Sequence, residues 1–322
     1  MKIHAYAKIN LILNVLGERS DGYHEVEMLM QAVSLCDEVT VEASDASGAA
    51  DRCDSSTLLG PQDFEYGQND LAYRAALLMA ETFRPELLAN ALDKDGLELA
   101  PGVRGIRVAI EKHIPAAAGL GGGSADAAAV LVGLGKLWLP QKTADDLPEA
   151  LLPLGAKLGS DVPFCIASQL GHPAAIARGR GTELEFVQPV DCGVDLYFSD
   201  VSIPGKTRAV YAELKDGDCK ERFSIEGLLN ASSLEEKLRF VGNHLQAPAE
   251  RLFRKAENDA ESAQPNISCR VSCADASRVS SPAALANTQA PTSAIPADAT
   301  LCGAGPTYFT LSETGTYRTV VK

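Results

Sequence analysis

The chain has 322 residues, 46% of them hydrophobic, and 29 basic against 43 acidic residues give it a formal net charge of -14. This length exceeds the usual size of one domain, so we expect two domains that share a cleft. An acidic surface repels phosphate polymers, which argues against nucleic acid and anionic membranes as partners. An anionic small-molecule substrate would therefore need local positive groups.

Neither a membrane span nor a signal peptide is predicted. The sequence contains no run of about 18 apolar residues, and charged residues interrupt its N-terminal region within a few positions. Its eight cysteines are scattered singly, apart from Cys269 and Cys273, and form no zinc-ligand spacing. We expect a cytoplasmic protein with reduced thiols and no protein-ligated metal.

The first half of the chain alternates strand-like and helical patterns irregularly. Alternating polar and apolar residues predict strands, and apolar residues at helical spacing predict helices. The predicted elements are strands at 3–16, 37–43 and 105–114, a helix at 69–83 after an Asn-Asp start signal, a helix from a glycine-rich stretch to Trp138, and a helical segment at 144–165 closed by Gly159. The irregular order favours an α+β layer arrangement over a doubly wound parallel sheet.

The second half contains a predicted strand at 193–204 and predicted helices around 224–256. Residues 259–300 lack aromatic side chains and are dominated by Ala, Ser, Pro, Thr and Asn. Such a composition buries little surface, so most of this stretch is predicted to be a flexible loop or insertion. Two short strand patterns around a turn follow at 299–322, and no internal repeat is visible.

The glycine-rich stretch reads PAAAGLGGGSADAAAV and runs from Pro115 to Val130. Glycines let backbone N–H groups converge, and the helix start behind them adds unpaired donors and a positive dipole end. Ser124 is placed as N-cap or phosphate donor. The alternative is a connection without a ligand, but the stretch is longer than a turn requires. It is neither a Walker A loop, since no Gly-Lys-Ser/Thr follows, nor a convincing dinucleotide fingerprint.

That stretch resembles the central phosphate-binding motif of the GHMP kinase superfamily. Residues 5–39, AYAKINLILNVLGERSDGYHEVEMLMQAVSLCDEV, resemble the narrower signature of the 4-diphosphocytidyl-2-C-methyl-D-erythritol kinase family. LGSDVPF at 158–164 resembles its catalytic-aspartate segment, and GNHLQAPAERL at 242–252 resembles its second-domain motif. The resemblance implies a two-domain α+β GHMP kinase fold. Its N-terminal ATP-binding domain (1–168) would be ribosomal protein S5 domain 2-like, and its C-terminal substrate domain (169–322) ferredoxin-like.

The resemblance also implies a reaction, the ATP-dependent phosphorylation of the 2-hydroxyl of 4-diphosphocytidyl-2-C-methyl-D-erythritol in the non-mevalonate isoprenoid route. It assigns two catalytic residues. Asp161 would accept the hydroxyl proton, and Lys8 would pair with Asp161 and stabilise charge on the transferred phosphate. Taken alone, Asp161 is more typical of a turn or cap, and Lys8 of a solvated charge at a strand edge.

ATP binding is implied for two parts of the chain. The adenine is expected near the helix start NDLAY, and the phosphates at the glycine-rich stretch. The implied ATP-binding residues are Asp70, Leu71, Pro115, Ala116, Ala117, Ala118, Gly119, Leu120, Gly121, Gly122, Gly123, Ser124 and Ala125. Mg²⁺ is expected with ATP, coordinated mainly by phosphate oxygens and water, because no acidic pair is dedicated to it. The implied assembly is a monomer or homodimer.

Substrate recognition is predicted from DGYHEVEM. Tyr23 offers a ring face for stacking a pyrimidine and His24 offers ring nitrogens, although an ordinary turn leading into a strand explains both residue types as well. By resemblance, Tyr23 and His24 bind the cytidine. Asn10 joins the catalytic pair around the methylerythritol, and Thr207 and Tyr211 close the pocket.

The third superfamily motif is altered in this chain. LCGAGPTYFTL at 301–311 keeps two phosphate-proximal glycines, Gly303 and Gly305, but Cys302 and Ala304 replace hydroxyl residues. His244 stands where the family usually has an acidic residue. Two other functions therefore stay open: another GHMP kinase of the homoserine or mevalonate type, and a non-catalytic nucleotide-binding relic.

Overall fold

The computed structural model describes residues 1–43, 58–92, 98–143, 145–198, 203–259, 267–272, 296 and 298–313. Two compact units alternate along the chain. Unit 1 comprises Met1–Tyr6, Cys36–Lys112 and Gly123–Gly171, and unit 2 comprises Ala7–Leu35, His113–Gly122 and His172–Lys322. Compact units and functional domains divide a chain by different criteria, so the two-domain boundary at 168 stays a prediction.

The regular elements fall in a mixed order of strands and helices. The strands are β1 (Lys2–Glu18), β2 (His24–Ala43), β3 (Leu58–Leu59), β4 (Leu88–Leu92), β5 (Glu98–Arg104), β6 (Ile106–Glu111), β7 (Ala174–Arg178), β8 (Glu183–Phe186), β9 (Gly193–Phe198), β10 (Gly242–Asn243), β11 (Ile267–Ser272), β12 (Thr300–Leu301) and β13 (Tyr308–Ser312). The α-helices are α1 (Leu71–Phe83), α2 (Gly122–Trp138), α3 (Leu147–Leu158), α4 (Val162–Gln169), α5 (Lys206–Ala212), α6 (Ile225–Asn230), α7 (Leu234–Leu238) and α8 (Gln246–Asp259).

Unit 1 packs helices α1 to α4 with antiparallel strands. The end of β2 pairs with β6, with Glu38 opposite Glu111, and β3, β5 and β4 form a second small sheet. Helix α2 is buried on every side from Ala125 to Gly135, which is the pattern of a central core helix. A side chain at Gly133 would lie 2.9 Å from Val41 of β2, so glycine lets this helix approach the strand closely.

Unit 2 contains two sheets. In the first, the strand order is β10-β1-β2-β7-β8, with a parallel pairing of β10 and β1 at Ile12 and Gly242. In the second, β11, β9, β13 and β12 pair in that order, all antiparallel. Leu196 and Phe309 lie opposite each other there and belong to the core of the unit. Strands β1 and β2 are long and contribute residues to both units.

The structure confirms the α+β class and most predicted elements of the first half. The predicted helix at 69–83 corresponds to α1, and the helix after the glycine-rich stretch corresponds to α2. The segment at 144–165 differs, because α3 ends at Leu158 and α4 begins at Val162. Pro163 lies in the first turn of α4, where proline starts a helix readily because that N–H needs no partner.

The predicted flexible insertion at 259–300 falls largely outside the described residues. Its described part includes β11, which pairs with β9 from Ile267 opposite Phe198 to Ser272 opposite Gly193. The composition did not predict this strand, because main-chain pairing with a distant strand does not depend on aromatic content. Among the described residues, no helix is long and apolar enough to cross a membrane.

Candidate active site

The first glycine loop, residues 115–121, precedes α2 and belongs to unit 2. Ala117, Gly119 and Gly121 all have positive φ, of 55°, 83° and 75°. A Cβ atom added at Gly119 would lie 2.6 Å from the Cys302 carbonyl oxygen and 2.7 Å from that of Gly305. Both the left-handed backbone and the close approach therefore require glycine at 119.

The second glycine loop, residues 302–307, packs directly against the first. The Cys302 N–H donates to the Thr307 carbonyl at 2.7 Å, and the Gly305 N–H donates to the Cys302 carbonyl at 2.8 Å. The Thr307 N–H donates to the Ala118 carbonyl at 3.3 Å, which connects the two loops. Main-chain hydrogen bonds thus fix the shape of this loop although Cys302 and Ala304 have replaced hydroxyl residues.

Lys8 of β1 lies against both glycine loops. Its N–H donates to the Leu120 carbonyl at 2.9 Å, and a side chain at Gly303 would lie 3.3 Å from its ammonium nitrogen. The ammonium donates to Asn10 Oδ1 at 2.9 Å, and the Asn10 amide contacts Met28 Sδ at 3.0 Å. Lys8 is buried, so its alternative interpretation as a solvated strand-edge charge is wrong.

Asn243 supports the second loop, its neighbour His244 contacts other parts of unit 2, and sequence reasoning did not select either as a site residue. Asn243 Nδ2 donates to the carbonyls of Leu301 at 2.8 Å and Gly303 at 2.7 Å. His244 Nδ1 accepts from the Val15 N–H at 3.0 Å, and its Nε2 lies 2.7 Å from the Glu221 carbonyl. Both ring nitrogens of His244 are thus engaged with backbone, which makes it a packing residue at the position where the family usually has an acid.

Lys206, the first residue of α5, is a further residue that the sequence analysis missed. Its ammonium donates to the carbonyl oxygens of Ala117 in the first loop and Gly305 in the second. Burial, together with the charge of Lys8, lowers the pKa of Lys206 to about 8. The available sequence signal was a lysine directly before the predicted pocket residue Thr207.

The proposed cytidine residues lie in unit 2, around the start of β2. The Arg19 N–H donates to the Tyr23 carbonyl at 2.7 Å, so the predicted turn into the strand is present. The rings of His24 and Tyr211 lie 4.7 Å apart with an interplanar angle of 31°. Tyr23 is 49% exposed, and the Arg180 guanidinium lies 5.2 Å from its ring centroid. The structure therefore brings His24 and Tyr211 together and leaves much of Tyr23 accessible; Thr207 is exposed on α5.

Unit 1 contains the start of α1 and the first turn of α2 from Gly123 onward. Asp70 caps α1, since its Oδ1 accepts from the Ala72 N–H at 2.9 Å, which confirms the helix-start interpretation of this residue. A side chain at Gly123 would lie 3.9 Å from Leu71, so the two helix starts adjoin. Helix α2 already begins at Gly122, and Ser124 lies inside its first turn. The prediction of Ser124 as N-cap is therefore wrong, because the helix starts two residues earlier.

Asp161 lies in unit 1, immediately before α4. Its backbone is already helical, with φ −83° and ψ −18°, and its side chain makes no capping hydrogen bond to α4. Asp161 therefore occupies the N-cap position of α4, but its side chain does not cap the helix.

Unit 1 also contains a buried charge cluster next to the first turn of α2. The Lys112 ammonium contacts the carboxylate of Asp37 on β2, and lies 2.6 Å from that of Asp126 on α2. Burial is the largest influence on the pKa of Asp126 and raises it, and the negative charge of Asp37 raises it further. The attraction of Lys112 lowers this pKa, but the net result lies above the ordinary value. Among the described residues, no group of three or more His, Cys, Asp or Glu side chains is arranged to hold a metal ion.

Residues 70–169 match the family described as the GHMP kinases N terminal domain. A solved structure of 4-(cytidine 5'-diphospho)-2C-methyl-D-erythritol kinase matches with a TM-score of 0.63 and 29% identity, over 97% of this chain and 90% of that one. The chain has the GHMP kinase fold.

Several curated relatives of this chain have the name of the same kinase. The 4-diphosphocytidyl-2-C-methyl-D-erythritol kinase of Synechocystis sp. is 43% identical over 190 residues, which cover 59% of this chain and 52% of the relative. The kinase of the same name from Bacillus cereus is 41% identical over 216 residues, 66% of this chain and 63% of the relative. The chain is a homologue of these kinases, and the matched part spans between half and two thirds of their length.

Proposed function

We propose that this protein is an ATP-dependent kinase that phosphorylates the 2-hydroxyl of 4-diphosphocytidyl-2-C-methyl-D-erythritol in the non-mevalonate isoprenoid precursor route, and that it acts in the cytoplasm. One observation carries the proposal. Two glycine loops are joined by a main-chain hydrogen bond from Thr307 to Ala118, and Lys8 lies against both loops. The names of the relatives and the fold support the same reaction class.

The first glycine loop fits a polyphosphate. Gly119 leaves no room for a Cβ, and the run from Gly121 to Gly123 passes without side chains into the N-terminus of α2. Helix N-termini offer unpaired N–H donors and a positive dipole end to anions. ATP would supply the phosphoryl group. Mg²⁺ would be coordinated mainly by phosphate oxygens and water, because the described residues offer no acidic cluster for it.

Two residues have the chemistry that phosphoryl transfer requires. The Lys8 ammonium is buried and held by Asn10, so it presents a fixed positive charge beside Gly303. Such a charge stabilises negative charge that develops on a transferred phosphoryl group. By the resemblance, the carboxylate of Asp161, directly before α4, would accept the hydroxyl proton.

The cytidine end of the substrate would bind around the start of β2. Tyr23 is about half exposed, and stacking of a base on an aromatic ring is a common mode of recognition. His24 packs on Tyr211, which would fix the imidazole for hydrogen bonding to the base. Asn10, which is oriented by Lys8 and Met28, would contact the polyol, and Thr207 and Tyr211 would close the pocket.

The decisive experiment is an ADP-release assay with a panel of acceptors. We expect ATP turnover with 4-diphosphocytidyl-2-C-methyl-D-erythritol and no turnover with 2-C-methyl-D-erythritol 4-phosphate, homoserine or mevalonate. Turnover with homoserine or mevalonate would instead identify another GHMP kinase. Cys302 and Ala304, which replace hydroxyl residues, favour a nucleotide-binding relic as second candidate. ATP-dependent thermal stabilisation without ADP release on any acceptor would support that relic, since binding alone raises stability.

The proton-accepting role of Asp161 has its own test. A positioned base contributes about 10²- to 10⁴-fold to rate, so Asp161→Ala should lower kcat at least ~100-fold and leave ADP affinity unchanged. Asp145→Ala, at an exposed position of the same unit, is the matched control and should keep full activity. Near-normal turnover in the Asp161 variant would remove it from this role.

A further inference from the structure

The ammonium of Lys206 has one more hydrogen-bond donor than its surroundings use. The residue is only 9% exposed, and two of its N–H groups donate to the Ala117 and Gly305 carbonyls. A lysine ammonium carries three donors. No partner for the third is present among the residues that the structure describes, and an unsatisfied buried donor is costly.

The charge of Lys206 is also uncompensated within unit 2. Its two partners are neutral carbonyls, and no carboxylate of the described residues lies within 4.0 Å of it. The charge that acts on it is the ammonium of Lys8, which has the same sign. Two buried ammonium groups beside the same pair of loops repel each other, and a buried charge without a counter-ion is unfavourable. An anion between the loops would relieve both costs.

We propose that Lys206 is a phosphate-binding residue whose third N–H donates to an anionic oxygen of a phosphate group held at the two glycine loops. The inference rests on the proposed function, because it assumes that these loops bind a nucleotide or a nucleotide-linked substrate. Lys206 would add a second positive charge to that of Lys8. Since it touches one carbonyl in each loop, the same contact would also fix their spacing.

A purely structural role makes a different prediction. If Lys206 only joins the loops, a neutral donor would serve equally well. Lys206→Gln keeps an amide with two N–H groups for the two carbonyls but removes the charge and the third donor. Lys206→Met removes all donors at similar length. Comparison of these two variants therefore separates charge from loop bridging.

The experiment measures the affinity of the full chain for ADP and, separately, for CDP, by calorimetric titration. We expect Lys206→Gln and Lys206→Met to bind at least one of them about 10- to 100-fold more weakly, the effect of losing one charge-assisted hydrogen bond. Loss with ADP alone assigns the contact to the ATP phosphates, and loss with CDP alone assigns it to the substrate diphosphate. Lys215→Gln, an exposed lysine of the same unit, should bind both ligands as the unmodified chain does.

The pH dependence of ligand affinity also separates the two roles, because a purely structural Lys206 would not alter it. A pKa of about 8 for Lys206 in the free protein means that affinity should fall as the pH rises from 7 to 9.5, since the ammonium loses its proton. The profile of Lys206→Gln should be flatter over that range. The other charged or titratable groups on the elements packed around Lys206 are Lys8, Cys302, Arg208, Tyr211, Glu250, Arg251, Arg254 and Lys255. These groups are present in both the unmodified chain and Lys206→Gln, so their contributions to the two pH profiles cancel when the profiles are compared.

The outcomes separate the two proposals. Unchanged affinities and parallel pH profiles in a folded Lys206→Gln variant would overturn the role of Lys206 and leave the kinase proposal intact. Weaker phosphate binding in the variant, together with no turnover by the unmodified chain, would support Lys206 and overturn the kinase. An unmodified chain that binds neither ADP nor CDP would overturn both.

Discussion

Lys112 in unit 1 and Lys206 in unit 2 each place an ammonium group among buried polar partners, but the partners differ in charge. Lys112 contacts two carboxylates, those of Asp37 and Asp126. Burial lowers the pKa of Lys112, but these two carboxylates outweigh it and raise the pKa above its ordinary value. Lys206 contacts only carbonyls, and burial lowers its pKa to about 8.

The difference indicates two roles for lysines that contact the same sequence motif, the glycine-rich stretch 115–130. The charge of Lys112 is neutralised inside the protein, so it holds β2 and α2 together and has no charge left for a ligand. The charge of Lys206 is solvated by carbonyls that cannot neutralise it, so it stays available to an anion. The glycine-rich stretch 115–130 contains one partner of each lysine. The Ala117 carbonyl in the loop accepts from Lys206, and the Asp126 carboxylate in the helix contacts Lys112.

The largest expected effect comes from moving a carbonyl partner of Lys206 without changing the lysine. In Gly119→Ala, the new Cβ would lie 2.7 Å from the Gly305 carbonyl oxygen that Lys206 contacts, at a φ of +83°. Left-handed strain and overpacking together should cost about 2–5 kcal/mol of unfolding free energy. Urea denaturation measures this loss, and ADP affinity should fall with it.

Gly22→Ala is the control for backbone strain alone. Gly22 has a φ of +79°, but no atom lies within 4 Å of an added Cβ. We expect a loss of about 1–2 kcal/mol from strain, clearly smaller than at Gly119. Equal losses at both positions would show that the close approach of the two glycine loops adds nothing to stability.

The next effect comes from removing the ammonium of unit 1. Lys112→Met leaves Asp37 and Asp126 buried without their counter-charge. A wholly buried pair would lose about 3–5 kcal/mol, but the Lys112 side chain is 40% exposed, so solvent screening reduces the expected loss to about 1–3 kcal/mol. Urea denaturation at pH 5 and pH 8 should show the larger loss at pH 8, because the raised pKa of Asp126 makes its carboxylate more fully charged there.

Lys157→Met, at an exposed site on α3, is the matched control and should change stability by less than about 0.5 kcal/mol. A Lys112 variant as stable as this control at pH 8 would contradict the role of Lys112 as an internal counter-charge. The contrast between a structural lysine, Lys112, and a ligand-binding lysine, Lys206, would then no longer hold.

The sequence predicted those parts of the site that depend on local pattern. The glycine run and the helix behind it follow from residues that are neighbours in the chain, and so does the cap at Asp70. Lys206 was missed because its partners lie 89 and 99 positions away. Asn243 reaches Gly303 across 60 positions. Neither contact leaves a periodic signal, so only the tertiary structure reveals them. The burial of Lys8 was missed for the same reason, since strand alternation does not identify which loops cover a strand.

The smallest expected effect concerns the carboxylate that Lys112 neutralises. Burial raises the pKa of Asp126, so the folded protein keeps this proton to a higher pH than the unfolded chain, whose ordinary value is 3.8. The stability of the unmodified chain should therefore fall as the pH rises from about 4 toward neutral, and Asp126→Asn, which cannot ionise, should lack this loss of stability.

We expect the stability of Asp126→Asn relative to the unmodified chain to rise by about 1 kcal/mol between pH 5 and pH 8, with lost attraction to Lys112 offsetting part of the gain. Thermal melting over this range measures it, with exposed Asp145→Asn as control. Parallel curves for Asp126→Asn and the unmodified chain would mean that Lys112 already keeps Asp126 fully ionised.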